Sequence, residues 1–393
     1  MRLPRPSSTS SSPRLKTSNP DLPMLWIPGP TEVRPEILAE CARPMIGHRS
    51  KACTDLIDRL NPGLRFAFGL QSDSTATVAA HTCSATGLME AALRGAGPRI
   101  LSVVGGAFAK RWGEIAISLG KQVVILDVEW GRAVAPADLR RCLDEHGPFD
   151  AVTLVSNETS TGTRTDLGSV SDVLDDFPGT QLFVDLVSYI AGAPVDFDVN
   201  RLDFGLAGVQ KAFALPPGIG VCCVSERYLE GARKATNRGF YLDPVSFIDG
   251  HTKNKTPSTP AIGLYYALAK QLEDISSGAT LPKCDAGKTG AAAWQARFAK
   301  HKRMQERTAT WATSHNLELL PPMAEASPTV SCIRAGHVDV AAFAAALKTK
   351  GFEISNGYGP LKGATFRIGH MGDHTEAGLE TLLQAADEAL GEL

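Results

Sequence analysis

The chain has 393 residues, 43% hydrophobic and 21% charged, with a formal charge of −2 and no basic block, so a small molecule suits it better than nucleic acid. Its longest apolar runs, residues 123–126 and 219–224, are strand-sized, which excludes a membrane span among them. The eight cysteines show no CxxC pairs and no zinc-site spacing, so they read as small core residues of a reducing compartment rather than as a disulfide framework or metal ligands.

In chain order, residues 1–20 contain Ser, Pro, Arg and Lys but no acid and little to bury, and they read as a disordered tail. An Arg- and Ser-rich, acid-free start also suits an organelle transit peptide. Its prolines break the amphipathic helix such a peptide needs, so the reading favours the cytoplasm. The glycosylation-like triplet Asn157-Glu158-Thr159 has no secretory signal ahead of it and is taken as a chance match. From Thr82 onward short apolar runs alternate with helical patterns: strands are predicted at 100–104, 123–126, 151–156 and 182–187, and helices at 111–119, 136–145 and 170–177. That order predicts an α/β fold with a mainly parallel sheet, whose ligands bind at the carboxyl ends of the strands. A further strand is predicted at 221–225, followed by the Pro- and Thr-rich stretch 256–260 and a helix at 261–272. Helices at 291–313, 338–348 and 376–390, with strands at 329–333 and 366–368, predict a smaller C-terminal α+β domain. The expected organisation is a large domain over 21–260, its N-terminal segment packing near the small domain, then a linking helix and small domain over 261–393. No repeat of fixed period is visible.

Two phosphate motifs fail on spacing. Gly287-Lys288-Thr289 would end a P-loop, but Pro282 occupies the place of its first glycine. Gly218-Ile219-Gly220 and Gly357-Tyr358-Gly359 both lack the third glycine of a dinucleotide fingerprint. More suggestive is Ser84-Ala85-Thr86-Gly87, which stands immediately before a helical pattern. There backbone N–H groups and the helix dipole favour an anion, although an ordinary Ser or Thr N-cap has the same appearance. Asp185 closes the apolar run 181–184 and should lie at a strand's carboxyl end. Lys211 follows 26 residues later among small and apolar neighbours, where an ammonium must snorkel to solvent or find a partner. Singly these are a strand-end acid and a surface lysine. Together with an anion cradle they are the parts a pyridoxal 5′-phosphate site requires: an amine for an imine, an acid for the pyridine nitrogen and a phosphate seat.

Longer segments carry a family resemblance. Ile27-Pro28-Gly29-Pro30-Thr31-Glu32-Val33, Ile46-Gly47-His48-Arg49-Ser50, Asn157-Glu158-Thr159-Ser160-Thr161-Gly162, Val184-Asp185-Leu186-Val187-Ser188, Gln210-Lys211 with Pro216-Pro217-Gly218, Thr256-Pro257-Ser258-Thr259-Pro260 and Phe366-Arg367-Ile368-Gly369-His370-Met371-Gly372 occur in order. Over residues 22–393 the chain resembles the class V, fold-type I aminotransferases, the group of alanine–glyoxylate, serine–glyoxylate and phosphoserine aminotransferases. The resemblance implies that Lys211 carries the cofactor and moves the substrate proton, and that Asp185 pairs with the pyridine nitrogen. It further implies that Ser84, Ala85, Thr86 and Gln210 serve the phosphate, together with Thr256 or Ser258 of a second subunit, hence a homodimer with shared active sites. Thr159 would contact the cofactor ring and Phe108 would stack on it. Arg367 would clamp the substrate carboxylate in a bidentate fork.

His48 and Arg49 are candidates for a substrate phosphate, as in phosphoserine enzymes. The segment around Arg367, however, lacks the second His-Arg pair of those enzymes and resembles the alanine/serine–glyoxylate branch. The expected reaction therefore passes an amino group from serine or alanine to glyoxylate or pyruvate in a ping-pong cycle, with phosphoserine as the alternative donor. A lyase or desulfurase ranks lower, because Phe108 stands where desulfurases place a histidine and no cysteine lies in a glycine-rich loop. A non-catalytic binding protein ranks last, since Lys211, Asp185 and Arg367 are all retained. His370 and His374 lie among glycines suited to a turn rather than to a zinc helix, and Cys222-Cys223 reads as core.

Overall fold

Seven apolar runs, each five or six residues long, pair into one sheet. In the computed structural model, which describes residues 22–393, these are β1 (Thr77–His81), β2 (Arg99–Val104), β3 (Gln122–Asp127), β4 (Ala151–Val155), β5 (Gln181–Asp185), β6 (Phe204–Gly208) and β7 (Gly220–Val224). The tail expected over 1–20 lies outside the described residues. The strand order is β1-β7-β6-β5-β4-β2-β3, with β7 antiparallel to both neighbours and every other pairing parallel.

Side chains alternate faces along a strand, so each run divides its apolar residues between two cores. Leu101, Val103, Val152, Leu154, Leu182 and Val184 pack on one face, under helices that include Leu60–Phe68 and Ile262–Ser276. Ile100, Ala151, Phe183, Phe204 and Cys222 pack on the other, under α1 (Ala85–Gly95) and α2 (Ala107–Ser118).

Several elements escape the sequence pattern. β1 lies ahead of the predicted start at Thr82, its TVAAH carrying only a weak strand signal, and β6 reads FGLAG, whose two glycines lower strand propensity. Gly205 suits the tight packing there, because a Cβ would meet Leu186 Cδ1 at 2.9 Å and force that side chain to shift. The helices Pro35–Cys41, Lys51–Asp58, Leu60–Phe68, Glu226–Lys234 and Pro244–His251 were also unpredicted.

Toward the C-terminus, Val330–Arg334, Thr365–Gly369 and Ser355–Asn356 form a three-stranded antiparallel sheet. With Val340–Thr349 and Glu376–Gly391 it encloses a third core of Ile333, Phe343, Phe366 and Leu382, joined by Met24 and Trp26. Met24–Leu25 pairs with Phe352–Glu353 there. The 25-residue helix Gly290–Ser314 runs between cores: Trp294 and Phe298 pack in the first, Met304 and Trp311 in the third. Cys222 and Cys223 are buried, whereas Cys284 is exposed, an exception to the reading of all eight cysteines as core.

Candidate active site

The candidate residues converge because five parallel strands end at one edge of the sheet. β1 leads to α1, β2 to Phe108, β4 to Thr159, β5 ends on Asp185, and β6 leads to Gln210 and Lys211. This is where an open α/β sheet leaves room for a ligand.

Asp185 is buried at the tip of β5 and, among the described residues, has a single close donor, the backbone N–H of Val187 at 2.7 Å from Oδ1. Burial raises its pKa to about 7, against that N–H bond; Glu158 adds to the rise, and Lys211 and Arg111 oppose it. Lys211 sits in the turn after β6. Its Nζ donates to the carbonyl of Pro28, and its own carbonyl accepts from Thr31 Oγ1 at 3.0 Å. Burial and the Arg367 cation lower its pKa to about 8, partly offset by Asp185. Gly29, at φ +108°, is the residue against which the Lys211 side chain lies, and a Cβ there would overlap it. The pocket thus holds an acid and an amine both moved toward neutrality, a combination typical of catalytic sites.

Two further positions follow from local chemistry. Ser84 caps α1, Oγ accepting from Gly87 N at 3.3 Å, and this leaves Ala85 and Thr86 at the first helical turn. Gly106 caps α2 without a side chain. Its role passes to the buried Glu158, whose carboxylate accepts from Ala109 N at 2.9 Å and Phe108 N at 3.4 Å, and from Ser160 Oγ at 2.6 Å. Phe108 is thereby held at the mouth of the site, 5.6 Å from the Tyr358 ring. Thr159 Oγ1 shares a hydrogen bond with Ser188 Oγ at 2.7 Å, and Ser188 also binds Asn157.

Arg367 arrives from the C-terminal sheet. It is buried, donates to the carbonyls of Asn356 and Thr159, each at 3.1 Å, and lies 5.6 Å from the Tyr358 ring centroid. Among the described residues no carboxylate pairs with it. An enclosed guanidinium satisfied only by carbonyls retains capacity for an anion.

The remaining candidates gather elsewhere. Arg49, next to His48 in the chain, donates to the carbonyls of Thr256 at 2.7 Å and Pro257 at 3.4 Å, and its hydrogen bonds do not reach the Lys211 pocket of its own chain. Thr256 is buried with Oγ1 unpartnered, while Ser258 is half-buried. His370 bonds Ser331 at 2.9 Å, and His374 stacks on Trp26. The sequence reading assigned no role to Glu158, Ser188, Arg111 or Tyr358. Glu158 and Ser188 lay inside quoted resemblance segments, and Arg111 carried a further signal, three residues after Phe108 on the same helix face.

Residues 74–361 match the model of the family "Aminotransferase class-V". An uncharacterized aminotransferase of Methanocaldococcus jannaschii is 31% identical over 94% of this chain and 93% of its own. The serine–glyoxylate aminotransferase of Methylorubrum extorquens is 29% identical over 95% of this chain and 92% of its own. The solved alanine–glyoxylate aminotransferase of Nostoc sp. superposes with a TM-score of 0.82 at 27% identity, covering 94% of this chain and 95% of that one.

Proposed function

Because this chain belongs to the class-V aminotransferases, a family of enzymes of fold type I, we propose that it transfers an amino group from a small L-amino acid, serine or alanine, to glyoxylate or pyruvate. The observation that carries the reading is the set Lys211, Asp185 and Arg367: an enclosed amine, an acid and an unpaired guanidinium on three different segments. Relatives named for serine and alanine with glyoxylate support the substrate class.

The site fits pyridoxal 5′-phosphate on its own terms. Asp185 is a buried carboxylate with one backbone donor and a raised pKa, and a cationic N–H partner would satisfy it. Lys211 would hold the cofactor covalently, Phe108 would face its ring and Thr159 its edge, with Ser84, Ala85, Thr86 and Gln210 at its phosphate. When bound, the cofactor supplies an electron sink that weakens the Cα–H bond of an amino acid. Lys211 Nζ would be released when the substrate's amino group takes its place on the cofactor, and burial, which destabilises its ammonium, would favour the free amine that takes the Cα proton. Asp185 keeps a negative charge where it stabilises a protonated ring nitrogen. Arg367 binds the α-carboxylate through a fork of two N–H groups and orients the Cα–H toward Lys211.

The active form in this reading is a homodimer, with Thr256 or Ser258 reaching the neighbouring phosphate. The unpartnered Thr256 hydroxyl and the Arg49 brace on its carbonyl support that role. Because Arg49 is engaged by two carbonyls, it is less available to a donor phosphate. The test is kcat/KM for L-serine, L-alanine and O-phospho-L-serine, each with glyoxylate and with 2-oxoglutarate. Serine or alanine with glyoxylate should lead. A phosphoserine value about tenfold higher, roughly 1.4 kcal/mol of transition-state binding, would reverse the assignment.

A further inference from the structure

The residues assigned to the phosphate, Ser84, Ala85, Thr86, Gln210, Thr256 and Ser258, are all uncharged. A phosphate monoester carries close to two negative charges at neutral pH, and the α1 dipole offers about half a positive charge at its N-terminus. The seat as assigned is therefore short of cation.

Arg111 supplies one. It stands one turn after Phe108 on α2. Its guanidinium lies 5.2 Å from the Phe108 ring centroid, and Nη1 donates to Thr86 Oγ1 at 3.1 Å, at the first turn of α1. It is half-buried, yet among the described residues no carboxylate pairs with it. Glu114 on the same helix pairs with Lys110 at 3.4 Å, and the Glu158 oxygens are occupied by the α2 backbone and Ser160. A guanidinium held against an aromatic face, with one hydroxyl acceptor and free N–H groups, is preorganised for an oxyanion.

We propose that Arg111 is the cationic ligand of the cofactor phosphate, held in place by Phe108 and Thr86. The inference rests on the site being a pyridoxal 5′-phosphate site, and the experiment separates the two. Purified apoprotein is titrated with pyridoxal 5′-phosphate and with pyridoxal, which has the same ring and aldehyde but no phosphate, and dissociation constants are read from absorbance and from tryptophan fluorescence. Arg111→Gln should weaken the phosphorylated ligand by about 10- to 100-fold, the weight of one charge-assisted hydrogen bond, while leaving pyridoxal within about twofold. Inorganic phosphate should compete with pyridoxal 5′-phosphate in the wild type and compete less well in the variant. Arg111→Lys keeps the charge without the fork and should fall between the two, so a poorly folded Gln variant does not remove the test. Equal losses for both aldehydes, or no loss for either, overturn the proposal and leave the cofactor reading standing. A wild-type apoprotein that binds neither aldehyde overturns the cofactor reading itself.

Discussion

Two buried aspartates near the Lys211 loop differ in how they are satisfied. Asp373 accepts from Arg34 at 2.7 Å, Arg297 at 2.9 Å and Gln271 at 3.0 Å. Asp185 accepts from one backbone N–H. Burial acts on both to raise the pKa, but Arg297 and Arg34 bring Asp373 down to about 2, whereas Asp185 remains raised to about 7. The arginines repeat the contrast. Arg297 is fully buried, pairs with Asp373 and braces the loop through the Ala212 carbonyl at 2.6 Å, while among the described residues Arg367 is bonded to carbonyls alone. A closed charge network is structural and complete. An open one, in the same molecule, is where the proposed function would place a ligand's charges.

The largest expected effect breaks the open cluster at its amine. Lys211→Ala should abolish transamination, and borohydride treatment of the wild type should leave the cofactor attached to the peptide containing Lys211 in a mass spectrum; full activity in the variant would end the assignment. Breaking the closed cluster should instead cost folding. Asp373→Asn leaves Arg34 and Arg297 without their shared carboxylate and should lower the unfolding free energy by about 3–5 kcal/mol in a denaturant titration.

Asp185→Asn sharpens the comparison, since a fall in kcat on the order of 10²-fold is expected without loss of stability. The pH dependence of apoprotein stability should carry the opposite sign for the two acids. Asp373 has a folded pKa below its unfolded value, so its stabilisation is present above about pH 4 and is lost as pH falls toward 2. Asp185 has a folded pKa above its unfolded value, so it destabilises progressively as pH rises from about 4 through 7. Apo Asp185→Asn should therefore match the wild type near pH 4 and exceed it above pH 7; a variant less stable at both would mean that Asp185 is a structural group like Asp373. The smallest effect is expected from Phe108→Leu, which loses ring stacking worth about 0.5–1.5 kcal/mol and should raise the cofactor dissociation constant by about 2- to 10-fold.

Much of the sheet was legible because β2, β3, β4 and β5 are continuous apolar runs whose periodicity survives without context. β6 and β1 were not, because glycine and alanine carry little strand propensity, and it is pairing with β7 that places both in the sheet. The antiparallel direction of β7 was equally invisible, since a five-residue apolar run reads the same either way.

The sequence by itself determined the candidate groups: a lysine in a small-residue turn, an acid ending an apolar run and a hydroxyl-capped helix start are local patterns that propensity and polarity dictate. Only the tertiary structure decided which charges are paired. Asp185 and Asp373 are both aspartates in the chain; what separates them is that Arg34 and Arg297 fold back onto one, from 339 and 76 residues away, and among the described residues no cation pairs directly with the other. Electrostatic interaction inside a protein depends on distance and desolvation, and neither is encoded along the chain at that range.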